Sequence, residues 1–67
     1  MKNRVEELRR AIPLSQDELA RKLHVSRQTI GSIENGRYNP SLELAFQIAD
    51  FFHLSIEEIF LYERSGL

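Results

Sequence analysis

The chain has 67 residues, of which 42% are hydrophobic, so it can form one small folded domain. It contains no cysteine, and this absence excludes disulfides, thiolate metal sites and cysteine nucleophiles. Its net charge of −1 is divided unevenly, because residues 1–40 carry eight Lys or Arg against five acids and residues 41–67 carry one against five. An N-terminal part at +3 beside a remainder at −4 is compatible with a basic face that binds a polyanion.

The first two predicted helices are separated by a proline. Residues 2–11 are predicted to form a helix, because apolar residues recur at helical spacing and Pro13 follows. Ser15 and Glu18 have the spacing of a capping box, which starts a second helix directly after Ser15. The apolar residues on the predicted inner faces are Val5, Leu8, Ile12, Leu19, Ala20 and Leu23.

The third and fourth predicted helices are also marked by their ends. Ser26 caps a third helix over residues 27–35, and Gly36 ends it. A turn follows, and the fourth helix begins near Ser41, with either Asn39 or Ser41 as its cap. We expect the fourth helix to be the most buried element, since its apolar residues cover more than half of its circumference. The predicted inner residues are Ile30, Ile33, Leu42, Leu44, Ala45, Ile48, Ala49, Phe51 and Phe52.

A second capping box, formed by Ser55 and Glu58, opens a fifth helix. Residues 63–67 are expected to fray as a tail. No strand pattern, linker or repeat is visible, so the prediction is a single domain over residues 1–67, an all-α bundle of five helices. Its fifth helix is expected to bury Ile56, Ile59 and Phe60.

The third predicted helix has an unusual polar face. In the stretch 28–36 only Glu34 is charged, although a helix that only has to stay dissolved usually exposes Lys and Glu. Gly31 would cost about 1 kcal/mol relative to Ala in a helix interior, unless a duplex wall or the preceding helix comes close. Gln pairs with adenine, Arg with guanine and Ser with several base edges. At about 100° per residue, the side opposite Ile30 and Ile33 carries Arg27, Gln28, Gly31, Ser32 and Asn35.

The segment QDELARKLHVSRQTIGSIEN, residues 16–35, resembles the helix-turn-helix of the phage lambda repressor and Cro-like superfamily, in particular the small Xre-type regulators. The likeness continues through NPSLELAFQIADFF to SIEEIF and covers nearly the whole chain. It implies a lambda-repressor-like bundle in which the second and third helices form the helix-turn-helix. The recognition helix, residues 27–35, would then lie in the major groove of double-stranded DNA.

The same resemblance assigns roles to single residues. It implies base reading by Arg27, Gln28 and Ser32, with Thr29 as a weaker candidate. It implies phosphate or backbone contacts by Gln16, Asn35, Arg37 and Tyr38. It also implies an ion pair between Arg9 on the first helix and Glu34 on the third.

Three positions depart from the family pattern, which often has glycine there. His24 and His53 each follow a helix and precede an apolar residue and a capping serine. We therefore expect both histidines to end a helix in the left-handed region, rather than to bind metal or sense pH. Pro13 cannot adopt a positive φ, so the first helix must end in another way.

The favoured function is the regulation of transcription by sequence-specific DNA binding, and we expect the protein to repress transcription. An enzyme is not expected, because the sequence has no glycine-rich phosphate loop and no metal-spaced His cluster; no cofactor or small-molecule ligand is implied either. The competing hypothesis is a protein-binding module of the same fold, such as an antitoxin or coactivator. The net negative charge after residue 40 leaves this alternative open. Aromatic or Leu anchors would be typical of a protein-binding helix, and the third helix lacks them on its polar face.

The expected assembly is a homodimer on a palindromic operator, since one helix-turn-helix reads only a few base pairs. Three consecutive residues of a helix cannot all face one core, so at least one of Phe60, Leu61 and Tyr62 should be available for a two-fold interface. No apolar run reaches the roughly 20 residues of a membrane span, and the charged N-terminus lacks the apolar core of a signal peptide. We therefore expect a cytoplasmic protein without a membrane partner.

Overall fold

The computed structural model describes residues 1–63, which form five helices and one two-stranded sheet. The strands pair antiparallel, with Lys2 opposite Leu61 and Asn3 opposite Phe60. In chain order the elements are β1 (Lys2–Asn3), α1 (Val5–Ala11), α2 (Gln16–Leu23), α3 (Arg27–Glu34), α4 (Leu42–Phe52), α5 (Ile56–Ile59) and β2 (Phe60–Leu61).

The small sheet corrects the prediction of a chain without strands. The first helix begins at Val5 rather than at residue 2, because Lys2 and Asn3 pair with the end of the chain. The fifth helix ends at Ile59, and Phe60 is the first residue of β2. Two-residue strands are too short to show an alternating pattern, and for this reason the sequence did not indicate them.

Four serines define where the later helices start. In each case the hydroxyl of the residue before the helix accepts a hydrogen bond from the backbone N–H three residues further on. Both predicted capping boxes are confirmed, since the side chains of Glu18 and Glu58 also accept bonds from their capping residues. The prediction for the third helix is one residue too long, because α3 ends at Glu34. The four capping residues are Ser15, Ser26, Ser41 and Ser55.

The two histidines end helices as expected. His24 has a φ of 58° and His53 a φ of 57°, both in the left-handed region. Each backbone N–H bonds to carbonyls of the preceding turn, which satisfies acceptors that the end of a helix would otherwise leave free. The helix α3 is followed instead by Gly36, with a φ of 80°.

The core is formed by one side of each helix and by the first residue of β2. The prediction that Leu42 is an inner residue of α4 is wrong, because its side chain is 71% exposed; Phe46, which was not among the predicted inner residues, is 54% exposed. The other predicted inner residues of α4 are buried or partly buried. The buried hydrophobic residues are Val5, Leu19, Ala20, Leu23, Ile30, Ile33, Leu44, Ala45, Ile48, Ala49, Ile59 and Phe60.

The predicted tail is described only at its first residue. Glu63 is exposed, and its carboxylate lies 3.6 Å from the Nζ atom of Lys2. The rest of the predicted tail, residues 64–67, lies outside the described residues. Within residues 1–63 no helix is both long enough and apolar enough to cross a bilayer.

Candidate nucleic-acid interface

The polar face of α3 is exposed because its opposite side packs against α2. Only residues 24–26 separate the two helices, and the inner residues of both belong to the same core. Ile30 and Ile33 have exposures of 0% and 1%, which fixes the rotation of α3 about its axis. With both isoleucines inside, the residues on the other side of the helix face outward.

Six residues from the predicted polar face of α3 and the candidate DNA contacts line one open depression, which Glu34 also lines. Arg27, Gln28 and Asn35 are exposed there, whereas Gly31 and Ser32 are partly buried in its floor. The side chain of Gln16, at the start of α2, lines one side of the depression. The six residues are Gln16, Arg27, Gln28, Gly31, Ser32 and Asn35.

The candidate Thr29 is placed differently from its neighbours. It is partly buried, and its hydroxyl lies 2.9 Å from the hydroxyl of Ser26, the residue that caps α3. That hydrogen bond engages the Thr29 hydroxyl at the start of the helix. Thr29 lines a second open depression, which it shares with Gln28, Ser32 and Tyr38.

The chain turns sharply after α3 and leaves two side chains exposed. The carbonyl oxygen of Ser32 accepts hydrogen bonds from the backbone N–H groups of Arg37 and Tyr38, at 3.0 and 3.1 Å. The Oδ1 atom of Asn35 also accepts a bond from the Arg37 N–H, at 3.0 Å. The backbone of this loop is therefore fixed to the last turn of α3, while the side chains of Arg37 and Tyr38 are exposed.

An ion pair between Arg9 and Glu34 joins α1 to the end of α3. The Nε atom of Arg9 lies 2.7 Å from Oε2 of Glu34, and Nη2 lies 3.1 Å from Oε1. The side chains are only 8% and 4% exposed. The remaining Nη1 group donates to the carbonyl of Leu14 at 2.7 Å. The hydrogen bonds from Arg9 to Glu34 raise the pKa of Arg9 above its ordinary value, so this arginine stays charged when buried.

Gln16 extends this network to the start of α2. Its Nε2 atom donates a hydrogen bond to Oε1 of Glu34 at 3.0 Å. Glu34 thus receives bonds from two other helices, and the three helices meet at one carboxylate group whose residue lines the depression. Among the described residues, every buried side-chain nitrogen or oxygen has a hydrogen-bond partner.

The helix α2 does not account for the glycine at position 31. A Cβ atom built on Gly31 would meet the amide of Gln16 at 3.7 and 3.8 Å, which is ordinary van der Waals contact. The neighbouring helix therefore leaves room for a methyl group. Of the two explanations considered for this glycine, the close approach of α2 is excluded.

Glu6 is part of the depression and was not identified from the sequence. It lies on α1, and its carboxylate is 2.8 Å from Nη2 of Arg10. The position of α1 relative to α3 is set by tertiary packing, so no spacing in the sequence indicates that this acid borders the polar face. The neighbouring arginine offsets its charge.

The three residues expected at a dimer interface do not share one environment. Phe60 is 7% exposed and belongs to the core of the single chain, whereas Leu61 and Tyr62 are 43% and 71% exposed. Phe60 and Leu61 form a strand, where successive side chains alternate between faces, so the helical reason for the prediction was wrong. Two exposed apolar residues on α4, Leu42 and Phe46, were missed, although their spacing of four places them on one side of that helix.

Metal chemistry has no candidate here: within residues 1–63 no three His, Cys, Asp or Glu side chains lie close enough to hold an ion together.

The fold and the exposed polar helix define a helix-turn-helix protein. The family model described as helix-turn-helix matches residues 5–59, and the chain belongs to this family. This finding confirms the resemblance noted in the sequence.

Several relatives match the chain over most or all of its length. The chain is 57% identical over 63 residues to an uncharacterized HTH-type transcriptional regulator of Methanocaldococcus jannaschii. This alignment covers 94% of the chain and 96% of the relative. The chain is 44% identical over 67 residues to an uncharacterized HTH-type transcriptional regulator of Archaeoglobus fulgidus, covering 100% of this chain and 96% of the relative. It is 44% identical over 66 residues to the uncharacterized HTH-type transcriptional regulator YgzD of Bacillus subtilis, covering 98% and 100%.

Proposed function

We propose that the protein regulates transcription by binding double-stranded DNA at a specific sequence. In this proposal α2 and α3 are the helix-turn-helix, and α3 is the recognition helix that enters the major groove. The observation that carries it is the exposed face of α3, where Arg27, Gln28 and Ser32 present groups that pair with base edges. The three relatives described above are named as HTH-type transcriptional regulators, which supports the same function.

The proposed contacts fall into two kinds. Base edges are read by Arg27, Gln28 and Ser32, while Thr29 contributes less because its hydroxyl is bonded to the cap of α3. The DNA backbone is held by Gln16, whose amide nitrogen keeps a second hydrogen when one is donated to Glu34. The remaining backbone contacts come from Asn35, Arg37 and Tyr38.

We further propose that two copies bind a palindromic operator. One recognition helix reads too few base pairs to select a site in a genome, and a two-fold dimer doubles the site that is read. Leu61 and Tyr62 remain exposed apolar residues that such an interface can bury. The proposed function also retains the expected cytoplasmic location, since the protein must share a compartment with the chromosome.

The exposed apolar residues also favour a second candidate, a module whose main partner is another protein. Leu42, Phe46, Leu61 and Tyr62 are all more than 40% exposed. They lie on α4 and at the end of the chain, outside the polar face of α3. Because a homodimer interface can use the same residues, protein binding is the second candidate and not the first. In this alternative the main function is an antitoxin-like or coactivator-like contact with another protein, in place of operator binding.

A binding selection tests the proposed function. The full chain is incubated with random duplex DNA, and the bound fraction is amplified and sequenced over several rounds. We expect enrichment of a palindromic site with half-sites about 10 base pairs apart from centre to centre. If the bound pool stays random, or if no duplex is retained at moderate salt, the proposal fails and the protein-binding alternative takes its place.

A further inference from the structure

The side chain of Asn3 joins the first residues of the chain to the end of α3. Its Nδ2 group donates a hydrogen bond to the carbonyl oxygen of Ile33 at 2.8 Å and another to that of Met1 at 3.2 Å. Its Oδ1 atom accepts a bond from the backbone N–H of Val5 at 3.1 Å. One partly buried amide therefore holds the first residue of α1 and the last turn of the recognition helix.

The bond to Ile33 acts at the end of α3 that adjoins the exposed loop. The last carbonyls of a helix have no partner within the helix, so their partners fix how the chain continues. The Ile33 carbonyl accepts bonds from the Gly36 N–H at 3.0 Å and from Asn3. The Ile33 carbonyl therefore joins the loop after α3 to the side chain of Asn3 in β1.

The strand β1 is itself fixed to the core. Asn3 pairs with Phe60, which is buried, and the Arg4 N–H donates to the Ile59 carbonyl at 2.9 Å. The position of Asn3 is thus set by the strand that follows α5. On the other side, the carbonyl of Met1 would lie 3.5 Å from a Cβ atom on Gly36, so the residue before β1 packs directly against the loop.

We propose that Asn3 is a positioning residue for DNA binding. It fixes the end of the recognition helix and the loop that follows. This places the side chains of Arg37 and Tyr38 where they contact the DNA backbone. Asn3 itself does not contact DNA. The inference rests on the proposed function, and it assigns a role to β1, a segment that precedes the residues matched by the helix-turn-helix family model.

The variant Asn3→Ser removes the Nδ2 group, and with it the bonds to the carbonyls of Ile33 and Met1, without changing the charge. A serine hydroxyl can still accept the local bond from the Val5 N–H, but it is too short to reach the Ile33 carbonyl. Arg37→Ala removes the side chain through which Asn3 is proposed to act. Gln47→Ser, an exposed amide on α4 that lies in a different depression, is the matched control.

Binding is measured on the duplex enriched by the selection and on a random duplex of equal length, well below the unfolding midpoint of each variant. We expect Asn3→Ser to weaken binding to both duplexes by roughly threefold to tenfold, in line with the loss of one hydrogen bond. The slope of log affinity against log salt should fall by about 1, as for a lost phosphate contact. The base preference of the site and the binding of Gln47→Ser should not change.

The double variant decides whether Asn3 acts through Arg37. We expect Asn3→Ser to cause a smaller further loss in the Arg37→Ala background, because one of the two contacts that it positions is already absent. An equal further loss in that background, or wild-type binding by Asn3→Ser, overturns the inference. Asn3→Thr, which suits a strand better, repeats the test if the serine variant does not fold. If neither folds, Asn3 serves global stability and the inference is wrong.

The two proposals can fail separately. A selection without an enriched duplex rejects the proposed function before any variant is made. An enriched duplex that Asn3→Ser binds like the wild type rejects only the role of Asn3.

Discussion

The buried pair of Arg9 and Glu34 shows how one charge interaction can fix the position of the recognition helix. Two nearly buried charges are costly unless each is paired and hydrogen-bonded. Here the guanidinium has three bonds, and the carboxylate receives a further bond from Gln16. Removal of either partner leaves the other buried and unpaired. This lowers the free energy of unfolding more than the loss of an exposed pair does.

We predict that Arg9→Ala lowers the free energy of unfolding by about 3–5 kcal/mol. Arg10→Ala is the control, because its pair with Glu6 lies on the same helix with side chains 70% and 50% exposed. The control should change the free energy by less than about 1 kcal/mol. Urea denaturation of both variants measures the difference, and equal midpoints would show that the buried pair contributes no more than the exposed one.

At the scale of the helices, Gly31 weakens α3 without a packing reason. We predict that Gly31→Ala raises the free energy of unfolding by up to about 1 kcal/mol, because alanine is the better helix former and its methyl group fits beside Gln16. Gly36→Ala should do the opposite, since Gly36 has a φ of 80° that strains other residues. Thermal unfolding monitored by circular dichroism tests both, and a Gly31→Ala variant that melts earlier than the wild type would be contrary to this account.

The capping boxes of α2 and α5 make stability depend on pH. Bonds from the backbone N–H of Ser15, together with its hydroxyl, lower the pKa of Glu18 below its ordinary value of 4.5, and Ser55 lowers the pKa of Glu58 in the same way. A pKa that is lower in the folded chain than in the unfolded chain gives stability that is present above the unfolded pKa. This stability is lost as the pH falls through the folded pKa.

We therefore predict that the free energy of unfolding falls as the pH is lowered below 4.5, the ordinary value for these carboxyls. In the double variant Glu18→Gln, Glu58→Gln the fall should be shallower, because glutamine can keep the capping box without titrating. Glu57→Gln, an exposed neighbour outside both boxes, is the control. Denaturation series at several pH values give the slopes, and identical slopes for the wild type and the double variant would exclude the capping boxes as their source.

The elements that local signals control were predictable from the sequence. A serine before an apolar pattern located the start of α2, α3 and α5, and a histidine in the place of a glycine located two helix ends. The sheet was not predictable, because the pairing of Lys2 with Leu61 depends on how the folded chain brings its ends together. The polar face of α3 followed from helical geometry, whereas the positions of Glu6 beside that face and of Asn3 at the end of α3 depend on the packing of other elements.

For the whole molecule, the expected assembly depends on apolar residues that the single chain leaves exposed. We predict that sedimentation shows two copies on one palindromic duplex. Leu61→Ser should weaken this association, whereas Leu42→Ser, an equal change at an exposed leucine on α4, should not. The reverse result would move the interface to α4. A protein that stays monomeric at high micromolar concentration and binds one copy per site would exclude the dimer.

The most direct test of the central claim, that α3 reads base edges while the following loop holds the backbone, compares Gln28→Ala with Arg37→Ala on the selected duplex and on random DNA. Gln28→Ala should cost about 1–3 kcal/mol on the selected site and relax the preference at one base pair. Arg37→Ala should weaken binding to every duplex about equally and lower the salt slope by about 1. Equal losses on selected and random DNA for both variants would contradict this division of roles. Wild-type binding by both would contradict the claim that this surface binds DNA.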